Sequence, residues 1–530
     1  MIRPLRRFAA TLACAGLSAG LLAPAAHAEP APQLNWGPCP VAAGADPAAQ
    51  CAEISVPRDY SQPDGERISV TMSRIPATGE RRGVIAGNPG GPGGPALGMF
   101  SGPANYPGTV AVPPQVREHY DLVAVQPRGH QWATPPKCAS LSGLLNGQLL
   151  SPGDFYRACE SMEPGYVGTI TTENTARDLE EARKALGEDQ LNLYGVSYGT
   201  TLMSTFATMF PQSTNKVILD SSVDPTSLWF RLGSDRKQVR VDTLNNLFAW
   251  IAQRDGEYHL GTTPLAVYRS WHARLLEHGG TLAAPLTPPP ATEADLPEGV
   301  SVGEAALGQI NLLIRAGWQG MATLDQVRQI AMFPALLNRQ ESQEWLALVI
   351  NTALYNQHSW PQVAAALRDN ALPENPVEEI NAKLMEGLSD EQRAQVVEDS
   401  LGVAQAMPVL DRAIVCNENR VAPDLSLVKE FEKTKYFGGD AIVFNENQIA
   451  SGQHCAGWPL PKPILMPSGA ALKTAPLLLG YDADSATTGP GNHAMQAAMG
   501  GQLHTLPGSS HGVLLNDPDA FAAEITAYLG

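Results

Sequence analysis

The stretch Leu191-Asn192-Leu193-Tyr194-Gly195-Val196-Ser197-Tyr198-Gly199-Thr200 decides how the rest of this 530-residue chain is read. Residues 191–194 make a short, largely apolar run that reads as the end of a buried strand. Gly195, Ser197 and Gly199 then fit the G-x-S-x-G pattern of a sharp strand-to-helix turn. A chain that reverses so tightly has no room for side chains on either side of the bend, which explains the two glycines. The central residue, Ser197, is left in a strained conformation with its hydroxyl outwards. Leu202, Met203, Phe206 and Met209 follow at helical spacing until Pro211, so strand, turn and helix are all predicted.

Working upstream, residues 84–87 read as another strand, running into Asn88-Pro89-Gly90-Gly91-Pro92-Gly93-Gly94. Such a loop is either an ordinary Gly/Pro turn or a place where main-chain N–H groups come close to a developing negative charge. Its position one strand-helix unit before Ser197 favours the second reading. Residues 122–125 give a further buried strand ending at Gln126-Pro127-Arg128-Gly129-His130, and the alternation in residues 68–72 marks a leading strand. Downstream of Asp220-Ser221-Ser222 the rhythm stops, and helical stripes replace it. They are Leu244, Leu247, Phe248 and Ile251; then Leu307, Ile310 and Ile314; then Trp345, Leu346 and Val349, all read as packing faces. Residues 285–299 are Pro-rich and acidic and are assigned no regular structure. The strand rhythm returns at residues 475–480, followed by a loop with Asp482 and Asp484, and at residues 502–507, followed by a turn with His511.

At the N-terminus, Arg3, Arg6 and Arg7 precede an apolar run too short to span a bilayer and the small-residue site Ala26-His27-Ala28. This predicts a signal peptide over residues 1–28, cleavage after Ala28, and a secreted protein. No later stretch reads as a membrane span. A net charge of −17 argues against nucleic acid or an anionic membrane as partner. Of the 7 cysteines, Cys14 leaves with the leader, and the rest face an oxidising compartment. Sequence proximity favours Cys39 with Cys51, Cys138 with Cys159, and Cys416 with Cys455; the close pairs a structural metal wants are absent.

Several motifs together carry a resemblance: Asn88-Pro89-Gly90-Gly91-Pro92-Gly93, Pro127-Arg128-Gly129, Ala176-Arg177-Asp178-Leu179, Gly195-Val196-Ser197-Tyr198-Gly199-Thr200, and Cys455-Ala456-Gly457-Trp458-Pro459. In them the chain resembles the secreted tripeptidyl aminopeptidases of actinobacteria, α/β-hydrolase serine exopeptidases related to proline iminopeptidases. Gln126 stands where that family usually has Asp, and Thr488 where it usually has Pro. The resemblance implies an α/β fold with a large, mainly helical cap inserted between the middle and last strands of the sheet. The expected division is residues 29–225 for the N-terminal part of the core, 226–410 for the cap and 411–530 for the C-terminal part of the core.

The roles follow. Ser197 is the nucleophile and His511 the base, ahead of His493 on an expected helix and His504 within an expected strand. Asp484, in a D-x-x-T pattern like that of the family, is the acid, ahead of Asp482 and the outsider Asp220. The chain order Ser, Asp, His is that of α/β-hydrolases. The main-chain N–H groups of Gly91 and Tyr198 are expected to bind the oxyanion. Glu418, two residues after Cys416, is read as the carboxylate that holds a substrate's free N-terminal ammonium, with a solvated loop acid, or a pair with Arg420 or Arg412, as the alternative. No cofactor or metal is required. The expected function is release of short peptides, tripeptides by resemblance, from peptide or protein N-termini by a monomer. An esterase or amidase on small acyl substrates is the alternative, and a hydrolase-like binding protein the third reading.

Overall fold

The computed structural model describes residues 34–46, 48–102, 108–144, 150–280, 285–331, 340–373, 382 and 385–530. The expected signal peptide and its cleavage site after Ala28 lie outside them. Each of the six runs read above as a strand becomes one, as β3 Arg67–Ile75, β4 Gly83–Asn88, β5 Tyr120–Val125, β6 Leu191–Val196, β8 Leu477–Tyr481 and β9 Gln502–Leu506, and β1 Gly37–Pro38, β2 Gln50–Pro57 and β7 Thr214–Asp220 join them. They form one sheet in the order β1-β2-β3-β5-β4-β6-β7-β8-β9. Pairing is antiparallel from β1 to β5 and parallel from β5 through β4 to β9. The strand expected at 475–480 starts later, at Leu477, because Pro476 has no N–H to give the ladder.

In β5 and β6 every residue is buried, as a parallel sheet covered on both faces demands. Side chains alternate between two cores. Val84, Ala86, Leu193 and Leu478 join Phe206, Ala176 and Leu410 on one face, whereas Ile85, Tyr194, Leu477 and Leu479 join Val116, Leu514 and Ile525 on the other. Arg128 and Asp178, which the family motifs contain, form a fully buried bidentate pair at 2.7 and 2.5 Å that also takes the Tyr60 hydroxyl. The three expected disulfides are present, Cys39–Cys51, Cys138–Cys159 and Cys416–Cys455, with Cα–Cα spacings of 4.8, 5.0 and 5.4 Å.

Between β7 and β8 the chain is helical, with Phe230–Ala252, Pro264–Glu277, Glu304–Ala331, Trp360–Asp369, Asp390–Asn417 and Ala441–Ala450 among its elements. This layer has its own core, built on Leu247, Phe248, Ile251, Trp271, Trp345, Val349 and Val363. The first and third stripes are therefore packing faces. The second packs less well: Leu307, Ile310 and Ile314 are half-buried, and the adjacent Leu312 and Leu313 are exposed. Residues 285–299 run without regular structure apart from the 3-10 turn Glu293–Asp295, pinned by Thr287 N–H to Asp440 and Ala291 N–H to Asn311 at 2.6 Å each. The boundary expected at residue 410 falls inside a continuous helix, Asp390–Asn417, whose last turns pack under the sheet. Ile442, beyond that boundary, belongs to the core of the helical layer.

Candidate active site

Ser197 occupies the bend between β6 and the helix Tyr198–Met209 with φ 60° and ψ −130°, a conformation that non-glycine residues rarely adopt. The glycines around it are required. A Cβ on Gly195 would meet the carbonyl of Gly199, one on Gly199 the carbonyl of Asn88, and one on Gly90 would lie 2.7 Å from the Ser197 Cβ. The loop after β4 thus lies directly against the serine. Gly90 and Gly91 have φ of 97° and 118°, and Gln126, at the position where the family usually has Asp, braces the loop by accepting the Ala96 N–H at 2.7 Å. Tyr198 is the first residue of its helix, where main-chain N–H groups have no intrahelical acceptor and carry the positive end of the helix dipole.

Asp484 Oδ2 lies 2.8 Å from His511 Nδ1. The carboxylate is wholly buried and also accepts the Ala486 and Thr487 N–H groups at 2.7 and 3.0 Å and the Thr487 hydroxyl at 3.1 Å. Burial would push its pKa up, but the His511 charge and these hydrogen bonds outweigh it and hold the carboxyl below the usual range. The rivals stand elsewhere. Asp482 is exposed, His493 is on the helix Gly489–Met499, and His504 is in β9. Asp220 ends β7 and binds the turn after His511 instead, accepting the N–H groups of Val513 and Leu514 at 2.8 and 3.0 Å and the Tyr194 hydroxyl at 2.8 Å.

The helical layer clamps both loops. His511 N–H donates to the Tyr355 carbonyl at 3.0 Å, and the Tyr355 ring stands edge-on to the imidazole at 5.6 Å. Arg240 donates to the carbonyl of Ser485 and the hydroxyl of Tyr355 at 3.1 and 2.8 Å, and Glu446, buried, holds both Arg236 and Arg240. Sequence reasoning missed Tyr355 and this network, since nothing local marks residues brought together over more than 100 positions.

Ser197, His511, Gly91 and Tyr198 all line one cavity of about 290 Å³. Trp229, Leu232, Tyr355 and Ile449 give it apolar and aromatic walls, and Arg236, Asp411 and His454 are its further charged or ionisable residues. Asp411, 42% exposed, has His454 Nε2 at 3.4 Å. Glu418 is not among the lining residues and is only 3% exposed. Neither expected arginine pairs with it: Arg420 donates to the Ile464 carbonyl and Arg412 to the His454 carbonyl. The structure therefore keeps Glu418 out of the cavity lined by Ser197 and His511, because its carboxylate is hydrogen-bonded to Thr172 behind Tyr198.

A glycine-flanked serine at the carboxyl end of β6, the third of six parallel strands in sheet order, with Asp484 and His511 on the loops after β8 and β9, is the arrangement of an α/β-hydrolase. The comparison with known sequences agrees: residues 88–364 match the family model for the alpha/beta hydrolase fold and residues 441–530 that for TAP-like protein, so the chain belongs to the α/β-hydrolase family. It is 31% identical over 258 residues to the tripeptidyl aminopeptidase of Streptomyces lividans, covering 45% of this chain and 48% of that protein. Serine protease Hip1 of Mycobacterium tuberculosis is 26% identical over 538 residues, 94% of this chain and 88% of Hip1. Carboxylesterase B of the same organism is 30% identical over 303 residues, 53% of this chain and 56% of that enzyme. The match thus spans about half the length of the first of these relatives. Among the described residues no helix is long and apolar enough to cross a membrane.

Proposed function

We propose that this protein is an exported serine peptidase that releases short peptides, tripeptides by its resemblance, from free N-termini. The observation that carries the reading is the Asp484–His511 pair opening onto the same cavity as Ser197 and the N–H groups of Gly91 and Tyr198. In this mechanism His511 takes the Ser197 proton as the hydroxyl attacks the peptide carbonyl. Asp484 orients the ring through Nδ1 and stabilises the imidazolium. The two main-chain N–H groups receive the charge that develops on the carbonyl oxygen. The peptide C–N bond breaks as His511 returns the proton to the leaving amine, and water then hydrolyses the acyl-enzyme by the reverse route.

A peptidase that counts from the N-terminus must hold an ammonium at a fixed distance from the nucleophile, and a carboxylate is its natural partner. We assign that role to Asp411, whose carboxylate is open to the cavity, in place of Glu418. The cavity's few polar groups and aromatic walls suit a short peptide. Export is supported by the leader pattern and the three disulfides.

The likeness to carboxylesterase B keeps esterase or amidase chemistry on small acyl groups as the second reading. Hydrolysis of a panel of di-, tri- and tetrapeptide amides, each with free and acetylated N-termini, beside a small ester, decides between them. Preferential cleavage of free-amine tripeptides is expected. Cleavage of acetylated peptides at equal rates would overturn the exopeptidase reading, and hydrolysis of the ester alone would establish the second. Ser197→Ala should lower kcat by roughly 10⁶-fold on any of these substrates.

A further inference from the structure

Glu418 follows the last turn of the helix Asp390–Asn417. One oxygen, Oε2, accepts the Thr172 N–H at 2.9 Å, and the other is hydrogen-bonded to the Thr172 hydroxyl. That hydroxyl lies 2.9 Å from the phenol oxygen of Tyr198. The carboxyl is thus joined, through one threonine, to the residue whose main-chain N–H stands beside Ser197. Its neighbours in sequence make similar contacts. Asn417 donates to the Val167 and Ile170 carbonyls at 2.7 and 3.0 Å. Asn419 accepts the N–H of Trp229, whose ring packs 5.8 Å from that of Tyr198. The segment itself is held by the Cys416–Cys455 disulfide and by main-chain bonds to Lys462 on both sides of Glu418.

We propose that Glu418 is a positioning residue of the oxyanion hole, one that sets the main-chain N–H of Tyr198 through Thr172. The proposal rests on the reading of Gly91 and Tyr198 as the oxyanion donors. The ring of Tyr198 is buried and its hydroxyl is tied to Thr172, so the first turn of its helix is fixed at both the backbone and the side chain. An oxyanion donor is worth most when it is already in place and needs no reorganisation during the reaction.

The titratable groups that face the carboxyl are Glu173, on the helix Thr172–Leu186, and the Tyr198 phenol, on the helix Tyr198–Met209; neither is a cation. Burial pushes Glu418 up to about 8, against the opposing pull of the Thr172 hydrogen bonds. Below that pH the neutral acid donates to Thr172, which donates on to Tyr198. Above it the chain reverses, with Tyr198 donating to Thr172 and Thr172 to the carboxylate. Ionisation also leaves a buried negative charge behind an N–H that must receive a developing oxyanion. That charge opposes the reaction, so kcat should decline as pH rises through about 8.

The test is the pH profile of kcat and KM between about pH 6 and 10, on a peptide amide and a small ester, for wild type, Glu418→Gln, Glu418→Ala and Thr172→Val. Wild type should lose kcat severalfold across the alkaline limb on both substrates, because both reactions pass through an oxyanion. Glu418→Gln is isosteric with the neutral acid and cannot ionise, so the limb should vanish. Glu418→Ala and Thr172→Val should lower kcat about tenfold at neutral pH with little change in KM, less than the roughly 10²- to 10³-fold cost of deleting a donor outright. An alkaline limb unchanged in Glu418→Gln overturns the proposal, as does full kcat in Thr172→Val, which decides the matter even where the alanine variant does not fold. A rise in KM confined to free-amine substrates in Glu418→Gln would also overturn it and return the ammonium to Glu418. Failure of the active-site reading itself shows differently, as activity retained in Ser197→Ala.

Discussion

Replacing Asp220 by asparagine separates the acid that orients the histidine from the acid that holds its loop. Asp220 is fully buried, with Oδ1 accepting the Val513 N–H at 2.8 Å and Oδ2 accepting both the Leu514 N–H at 3.0 Å and the Tyr194 hydroxyl at 2.8 Å. An asparagine has one carbonyl oxygen and one amide nitrogen. Whichever way it sits, its NH₂ faces the N–H of Val513 or of Leu514; the tyrosine can turn to accept, but the main-chain donor cannot. One buried N–H therefore loses its acceptor, which costs about 1 to 3 kcal/mol. The loss falls on the turn after His511, so the base should shift by a fraction of an ångström. A misplacement of about 1 Å can cost on the order of 10²-fold, and Asp220→Asn should accordingly reduce kcat by about tenfold. Asp484→Asn should instead cost on the order of 10⁴-fold, since it alters the group that fixes the ring itself. Urea unfolding of the oxidised protein, followed beside kcat for both variants, reads the two effects. A 10⁴-fold loss in Asp220→Asn with unchanged unfolding, and a mild one in Asp484→Asn, would refute the assignment.

Asp411→Asn should raise KM for free-amine tripeptide amides about tenfold while leaving a small ester nearly unaffected, the size expected for a charge-assisted contact at a half-exposed carboxylate; equal changes on both substrates would remove Asp411 from substrate recognition. Peptide mapping of the non-reduced protein should recover the three bridges seen here, and any crossed peptide such as Cys138 with Cys416 would contradict the fold. Loss of a native bridge costs about 2 to 5 kcal/mol, so reductant should lower the melting temperature. The Cys416–Cys455 bridge anchors the segment that carries Glu418, and its removal by paired Ser substitution should reduce kcat as well as stability.

The parallel strands β4, β5, β6, β8 and β9 were legible because each is a short run, mostly apolar, within or next to a glycine or proline boundary, whereas β7, with Asn215 and Lys216 in it and Ser221 after it, carried no such mark. The elbow and the two loops with Asp484 and His511 could be read for the same reason, since they sit where strands end. The role of Glu418 could not. Its burial comes from packing against Thr172, 246 positions away, and one carboxylate in a sequence of this composition looks much like another. Nothing in the sequence singles out Asp411; Arg412 beside it donates to the His454 carbonyl, and Asp411 lines the cavity. The second helical stripe misled in a simpler way: spacing of 3 and 4 shows that a helix has an apolar face, not how much of that face is covered.

The distances along the chain cease to matter once the sheet is laid out. Parallel strands bring their carboxyl ends to one edge, and loops leaving that edge are neighbours whatever their separation in sequence. Gly91 follows β4, Ser197 follows β6 and His511 follows β9, so each needs only a short loop to reach the same cavity, while Asp484 after β8 and Asp220 at the end of β7 hold His511 and its turn from behind. What the edge does not supply is a roof. The chain between β7 and β8 supplies it and returns through the helix Asp390–Asn417, whose residues 407–411 press on the glycine loop so closely that a Cβ on Gly93 would lie 2.7 Å from that of Leu410. The same helix thus presents Asp411 to the cavity and, past its last turn, Glu418 to Thr172. Recognition of the substrate's end and support of the oxyanion hole are, on this reading, carried about two turns apart at the C-terminal end of one helix, and a shift of that end would disturb both together.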